Sequence, residues 1–480
     1  MNITRKKVIV YIIMVIIIVI LSIIIIKLFN NYFNNHGQNI PNMPLKGDRS
    51  NIYSCENYKV CNQNDIIPSI GLPCDCYFSE GYWEARSKFR TAVSKIEGAE
   101  LHTLIVIPNS DYTIDIAVIN GTMGLMVHTS GIHGVEGYAG SAIQLALLDR
   151  LQNKSRNGQP TIVLIHAYNP FGMAHFRRWN ENNVDLNRNA MLKSDGDIIR
   201  SRDPNIAGYM DLTNAFNPSR KPSLYDAYIR LPLSMIYHSI INGSDNIKHA
   251  MVAAQYVDPK GIFYGGDRLE KSHVLIWNWM DRFANKQAVS WIDVHTGLGN
   301  SGEDTLLCDG GDVMKTHTRW YPGVPKVQNE TKGEGDVGGG YELTRGFNRE
   351  LFTQKFRNKN AKIHHMTQEF GTLSGHMVAR ALILENQAYN YYPNEQAYWA
   401  TFTRDAFYVR TPEWKQSIID RGVIFAEQAI ESFETTESLS SGYIDNQISD
   451  LESLIEWINT NTMSIEEQAI EKGIEDLLFD

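Results

Sequence analysis

The sequence predicts an α/β protein built on a mixed, mostly parallel central sheet with helices on both faces, preceded by a transmembrane helix. Two observations predict the sheet and a third predicts the span. Several short runs are wholly apolar and rich in β-branched residues, the composition of strands covered on both faces. These runs alternate with longer helical stretches, the order expected when crossover helices pack on a sheet. Ahead of them, Val8 to Ile26 runs for 19 residues without a charge, enough at about 1.5 Å per residue to cross a hydrocarbon core of roughly 30 Å.

Arg5, Lys6 and Lys7 precede that run and only Lys27 follows it closely. The positive-inside rule then puts residues 1–7 in the cytoplasm and the rest of the chain outside the cell or in a lumen. Polar, Asn-rich sequence follows without a small-residue cleavage site, so residues 8–26 read as an uncleaved signal anchor. Residues 27–80 form a juxtamembrane stalk, with Pro41, Pro44 and Pro68, that merges into a cysteine cluster. Cys55, Cys61, Cys74 and Cys76 are an even set in an oxidising compartment and read as two disulfides, with three pairings open. A structural zinc site is the rival, but their spacing is not the usual C-x2-4-C. Cys308 is left over and reads as a buried, inert thiol. Asn120, Asn153, Asn242 and Asn329 stand in N-x-[ST] sequons and mark a glycoprotein where the host glycosylates.

Residues 81–435 carry the α/β pattern. A short helix is expected over Ser87 to Gly98, then β-branched strands at Leu101 to Pro108 and Thr113 to Ile119. Gly124 to His128 is an apolar strand, Tyr138 to Leu151 an Ala- and Leu-rich helix, and Thr161 to Ala167 another apolar strand. Helices follow at Leu224 to Ile241 and Arg268 to Lys286, and strands at Ser290 to His295 and Thr305 to Asp309. A helix at Glu342 to Phe356, a strand at Ile363 to Phe370, and helices at His376 to Asn390 and Trp414 to Thr435 complete the domain. The acidic tail 436–480 contains one amphipathic run, Ile448 to Ile458, and reads as an appended helix without a chemical role.

Composition narrows the function. A chain of 480 residues with 43% hydrophobic and 21% charged content is an ordinary globular protein. Its formal charge of -9 and pI near 5.9 offer no footprint for nucleic acid. No repeat period is visible, which sets solenoids and propellers aside.

Chemistry gathers where strands end. Gly131-Ile132-His133-Gly134-Val135-Glu136-Gly137 follows the Gly124 to His128 strand, and its glycines permit a tight turn that brings His133 and Glu136 to one point. The pair offers two of the three protein ligands of a His2Glu zinc site; alone, such a pair is a weak signal. Trp291-Ile292-Asp293-Val294-His295-Thr296-Gly297 reads as a strand ending abruptly at His295, a candidate third ligand, with Asp293 on the same face as its orienting carboxylate. Glu369, at the end of the strand through Phe370, is either salt-bridged or poised beside a metal, where it would shuttle the proton of an attacking water. Arg177 to Asn189 packs three Arg and five Asn into thirteen residues, donors suited to a carboxylate or oxyanion. No G-x-S-x-G elbow supports serine hydrolysis.

The order H-x-x-E, V-D-L-N-R-N, D-x-H-T-G, E-F-G-T resembles the zinc carboxypeptidase superfamily over roughly residues 80 to 435. It looks closest to the branch that also resembles aspartoacylases and succinylglutamate desuccinylases. The resemblance implies a zinc carboxypeptidase-like fold and one Zn2+ per chain on His133, Glu136 and His295. It further implies Asn187 and Arg188 on a substrate carboxylate, Glu369 as general base and acid, and Arg178 as the oxyanion-polarising Arg, with Arg177 beside it as a competitor for that role. Tyr341, after a triple glycine, is the only candidate for the mobile-loop Tyr of that clan. The expected activity is hydrolysis of an amide bond next to a free carboxylate, on a peptide or an N-acyl amino acid; a catalytically idle, peptide-binding ectodomain is the alternative from another class.

Overall fold

The computed structural model describes residues 77–152, 154–155, 157–308, 327–329, 337, 339–356 and 361–433. The expected span 8–26, Cys55, Cys61, Cys74, Cys76, Asn153 and the tail 436–480 lie outside the described residues. Among the described residues no helix is long and apolar enough to cross a membrane. The chain divides into two compact units, Met1–Ala429 and Ile430–Asp480, and the whole sheet belongs to the first.

The eight strands are β1 (Glu100–Ile105), β2 (Thr113–Ile119), β3 (Leu125–Ser130), β4 (Thr161–His166), β5 (Ala288–Ser301), β6 (Asp304–Cys308), β7 (Val327–Asn329) and β8 (Lys362–Gly371), in the order β1-β2-β4-β3-β5-β8-β6-β7. Strands β4, β3, β5 and β8 are mutually parallel and form the centre. Strands β2 and β1 extend one side antiparallel, and β6 pairs antiparallel on the other. Every residue of β2, β3 and β4 is buried, as expected of apolar strands covered on both faces. Strand β1 is the edge, with Leu101 and Ile105 exposed.

Helices fill both faces. On one, α1 (Tyr82–Ser94) packs on α2 (Gly137–Leu151), and α2 covers β3 and β5. All of α2 but Arg150 is buried, which its Ala- and Leu-rich, nearly uncharged sequence permits. On the other, Trp291 of β5 stacks on Phe352 of the later helix Asn348–Phe356 with ring centroids 4.8 Å apart, and Ile276, Trp279 and Met280 join the same core. The Trp291 indole N–H donates to Thr129 Oγ1 at 2.8 Å, so the buried ring leaves no unpaired polar atom.

In chain order α3 (Lys193–Arg200), α4 (Leu231–Asn242), α5 (Ser244–Val252) and α6 (Lys271–Trp279) lie between β4 and β5, α7 (Asn348–Phe356) precedes β8, and α8 (Gly375–Tyr391), α9 (Gln396–Phe407) and α10 (Pro412–Glu431) follow it. Three expectations need correction. Strand β5 does not stop at His295 but runs to Ser301 through a bulge between Gly297 and Ser301, because its extension keeps a partner in Gly371. The helix expected from Glu342 begins only at Asn348, after a turn in which Thr344 N–H bonds Tyr341 O. Helix α9 was not expected; its aromatic-rich sequence lacks a clear period, and burial of Trp399 and Phe407 against α8 decides it.

Candidate metal centre

The four parallel strands deliver their carboxyl ends to one edge of the sheet, the place where open α/β sheets build sites. After β3 the chain turns at Gly131, whose φ of +74° suits glycine, and enters a single helical turn, Gly134–Glu136. Gly134 has no room for a side chain, since a Cβ there would run into the backbone of Gly172. The turn is clamped by the loop that follows β4: Gly134 N–H bonds Arg178 O and Val135 N–H bonds Arg177 O at 2.8 Å. Backbone rather than side chains therefore fixes where His133 and Glu136 point.

Both imidazoles aim Nδ1 at a common point. His133 Nδ1 lies 3.0 Å from Glu136 Oε1 and 3.1 Å from His295 Nδ1, and His295 Nδ1 lies 3.0 Å from Glu136 Oε2. The ligand atoms of the three residues fall within 4.8 Å of one another and all three residues are buried. The outer nitrogens each face a carboxylate: His133 Nε2 is 3.1 Å from Asp185 Oδ1, and His295 Nε2 is 3.4 Å from Asp293 Oδ2. Carboxylates in these positions fix the ring tautomer that leaves a lone pair toward a cation. Strand periodicity places Asp293 there; for Asp185 the only sequence signal is its place inside V-D-L-N-R-N.

The charges of this cluster are strongly coupled. Burial works against the Glu136 carboxylate, yet His133 and His295 hold its pKa well below the usual range. Burial likewise opposes Asp185, and Arg178 and His133 pull it well down. For His295 burial disfavours the charged ring, but Asp293 and Glu136 outweigh it and hold its pKa well above the ordinary value. Two imidazole nitrogens and a carboxylate oxygen crowded this closely fit a divalent metal better than they fit one another.

Glu369 reaches the same place by register. It sits directly opposite His295 in the parallel β5/β8 ladder, so both side chains leave the sheet on the same face. Leu298 N–H donates to Glu369 Oε1 at 3.0 Å. Burial, and then the negative charge of Glu136, push its pKa up to about 7, in the range a general base needs near neutrality.

The Arg- and Asn-rich loop divides its labour. Arg177 is wholly buried, donates to Glu385 and to Asn183 at 2.7 Å each, and lies over Tyr389, so it is a structural group. Arg178 faces the site: its Nε donates to Asp185 Oδ2 at 2.8 Å and its Nη1 to Glu136 Oε1 at 3.1 Å. Of the two arginines Arg178 is the one that faces the cavity, with Nε and Nη1 engaged by Asp185, the partner of His133, and by Glu136. Asn180 and Asn182 bond Glu270, and Asn189 bonds the backbone at Gly265, Arg268 and Glu270, so these amides pin the loop and do not reach the cavity. Asn183 in this loop, Ala167 and Phe176 ahead of it, and Phe263 in the cavity wall have φ between 50° and 60°, unusual for residues other than glycine.

A cavity of about 320 Å³ is lined by His133, Glu136 and His295. Arg178, Asn187, Arg188, Tyr341 and Glu369 line it, and its remaining wall is mainly apolar, including Met251, Leu298, Val378 and Phe407. Arg188 is buried, and its Nε and Nη1 donate to the carbonyls of Val252 and Asn187 at 2.8 Å each. Its Nη2 has no hydrogen-bond partner, and among the described residues no carboxylate pairs with it. Asn187 accepts from Asn348 N–H at 2.8 Å, which orients its amide. The guanidinium of Arg188 lies 5.6 Å from the Phe263 ring centroid and 5.5 Å from that of Tyr341. Phe263 escaped sequence reasoning, since nothing local marks an aromatic residue so far along the chain as part of this wall.

The sequence profile of a family described as "Protein of unknown function (DUF2817)" matches residues 78–421. No curated protein matches the chain in sequence. Among solved structures, bovine thrombin-activatable fibrinolysis inhibitor, in complex with tick carboxypeptidase inhibitor, is similar at 10% identity over 75% of this chain and 98% of that one, with a TM-score of 0.40. A Shewanella frigidimarina structure named for succinylglutamate desuccinylase/aspartoacylase aligns at 16% identity over 61% and 71% of the two chains, with a TM-score of 0.28. A Shewanella amazonensis structure named for a metallopeptidase aligns at 11% identity over 66% and 92%, with a TM-score of 0.32. The chemistry is therefore read from the site's own residues.

Proposed function

Because the chain belongs to the DUF2817 family of proteins of unknown function, we propose its activity from the site itself: a zinc-dependent, carboxypeptidase-like hydrolase of an amide bond next to a free carboxylate. The observation that carries this is the convergence of His133, Glu136 and His295 under a cavity that also holds Glu369 and the buried Arg188, whose Nη2 has no hydrogen-bond partner among the described residues. We further propose that the domain works outside the cytoplasm, held by residues 8–26 as a single-pass anchor.

The donor set fits the metal: two imidazoles and one carboxylate are the protein ligands of a catalytic zinc with one position left open. A bound zinc would polarise the substrate carbonyl and acidify a water. Glu369 would take the proton of the attacking water and return it to the departing amine. Arg178, with Nη2 free of the pairings made by Nε and Nη1, would face the developing oxyanion. Arg188 and Asn187 would hold the substrate carboxylate, since a buried guanidinium nitrogen without a partner is costly until an anion meets it.

Incubating the zinc-loaded chain with peptides and N-acyl amino acids, with and without chelator, and weighing the products tests this. Release of C-terminal residues that chelator stops is the expected result, and release of acyl groups would move the reading to an aspartoacylase-type deacylase. Hydrolysis indifferent to chelator would overturn it, and so would peptide binding with neither metal nor turnover, which would mark an idle ectodomain.

A further inference from the structure

Helix α4 is built inside out. Its residues at three- and four-residue spacing, Leu233, Ile236, Tyr237, Ile240 and Ile241, are between 47% and 77% exposed. The opposite side is turned inward, with Leu231 buried and Met235 and Ser239 lining the cavity. A surface helix of a water-soluble domain ordinarily buries that apolar stripe. The stripe continues backward through the π-helical turn Asp226–Arg230 to Leu224 and Tyr225, both at least half exposed. No charged residue occurs from Leu231 to Asn242. A contiguous apolar surface of this kind marks a docking face.

The composition of the stripe and the rest of the chain identify what covers it. Aliphatic side chains with tyrosines beside them and no ion-pairing group suit the acyl and headgroup boundary of a bilayer, where a helix lies flat with its apolar side down. The same chain carries the 19-residue uncharged run 8–26, separated from the first described residue, Tyr77, by residues 27–76. A linker of about 50 residues spans on the order of 40 Å even when coiled, close to the diameter of a domain this size. Tethering then keeps the local concentration of lipid high, so a modest patch is enough to dock.

We propose that the outward face of α4, with Leu224 and Tyr225, docks on the bilayer to which residues 8–26 tether the chain. The proposal rests on the anchoring reading above. Ser244 and Asp245, exposed and part of the cavity lining, follow α4 directly, so docking brings the mouth of the cavity to the membrane surface.

The test uses the full chain reconstituted in phosphatidylcholine/phosphatidylglycerol vesicles at low chain-to-lipid ratio. An environment-sensitive fluorophore is attached at Ile240→Cys or, as a control outside the patch, at the exposed Lys95→Cys. Doxyl-labelled lipid should quench the label at 240 severalfold more than that at 95. The double variant Ile236→Glu/Ile240→Glu should raise hydrogen exchange across 231–242 on vesicles severalfold and leave hydrolysis of a soluble substrate unchanged. Equal, weak quenching at both positions in a chain that still floats with vesicles would overturn docking while leaving the anchor intact. A chain that does not float with vesicles would overturn the anchor and docking with it. Energy transfer between labels at 240 on two chains, without quenching by lipid, would assign the face to a second copy instead.

Discussion

Glu369 must be ionised to accept a proton and yet sits against Glu136, and those two demands set its chemistry. Replacing it by Gln keeps shape and Leu298's partner oxygen but removes the base, so turnover should fall on the order of 10²–10⁴-fold while metal content, measured on the same preparation, stays at the wild-type level. Asp185 acts one step back, through His133. Asp185→Asn should weaken metal affinity roughly 10–100-fold, read by competition with a chelator, and wild-type affinity in that variant would remove Asp185 from the account. Arg188→Ala should abolish the preference for a free carboxylate over the corresponding amide substrate, a KM effect with little change in kcat. At this scale the sequence was legible where a residue's neighbours are local. His133 and Glu136 stand in a glycine-flanked turn just after β3, and His295 stands two residues before Gly297 in β5, so local sequence marks all three. Asp185 and Phe263 meet their partners only through loop packing, and no spacing rule reports that.

The strands decide which residues meet, and the turns decide how precisely. Register in β5/β8 places Glu369 opposite His295, and a slip of one residue would send Glu369 to the other face of the sheet. The Gly131 to Gly137 turn is held to Arg177 and Arg178 by backbone bonds. Gly134→Ala would push a methyl group into the Gly172 backbone. It should lower the melting temperature by several degrees, a cost of roughly 1–3 kcal/mol, and reduce metal affinity as well; a variant with unchanged Tm and metal content would show that the close approach is relieved elsewhere. The runs of β2, β3 and β4 were readable because burial on both faces keeps them mostly apolar, with Asp115 and His128 among the buried exceptions. Helix α9 was not, since its aromatic residues follow tertiary contacts with α8 rather than a helical period. The bulge that carries β5 past His295 was hidden for the same reason, because its partner Gly371 comes from a distant strand.

Across the whole molecule the metal and the fold are linked. Without metal, the raised pKa of Glu369 means folding favours its protonated form; that penalty is absent below about 4.5 and complete above about 7. His295, held well above its ordinary value, contributes stability that is full below about 6.5 and is lost as pH rises through its folded pKa. Both effects run the same way and oppose those of the buried His128, His166, His273 and His365, whose pKa values burial holds below the ordinary value, so the site's own effect is read as the difference between the metal-free and the zinc-loaded chain. The opposite contributions of Glu136 and Asp185, whose pKa values are depressed, disappear only as pH falls below the usual carboxylate range. Zinc needs His295 neutral, so binding should release protons and the metal-induced rise in Tm should be larger at pH 8 than at pH 6. A rise independent of pH would contradict this assignment of charge.

The central claim is that His133, Glu136 and His295 hold one zinc ion, and elemental analysis of the purified full chain tests it most directly. Wild type, His133→Ala and His295→Ala are loaded with zinc, dialysed, checked for an unchanged circular dichroism spectrum and analysed by plasma mass spectrometry. Close to one zinc per chain in wild type and none in either folded variant is the predicted result. Zinc retained at the wild-type level in both variants, or absent from wild type itself, would contradict it.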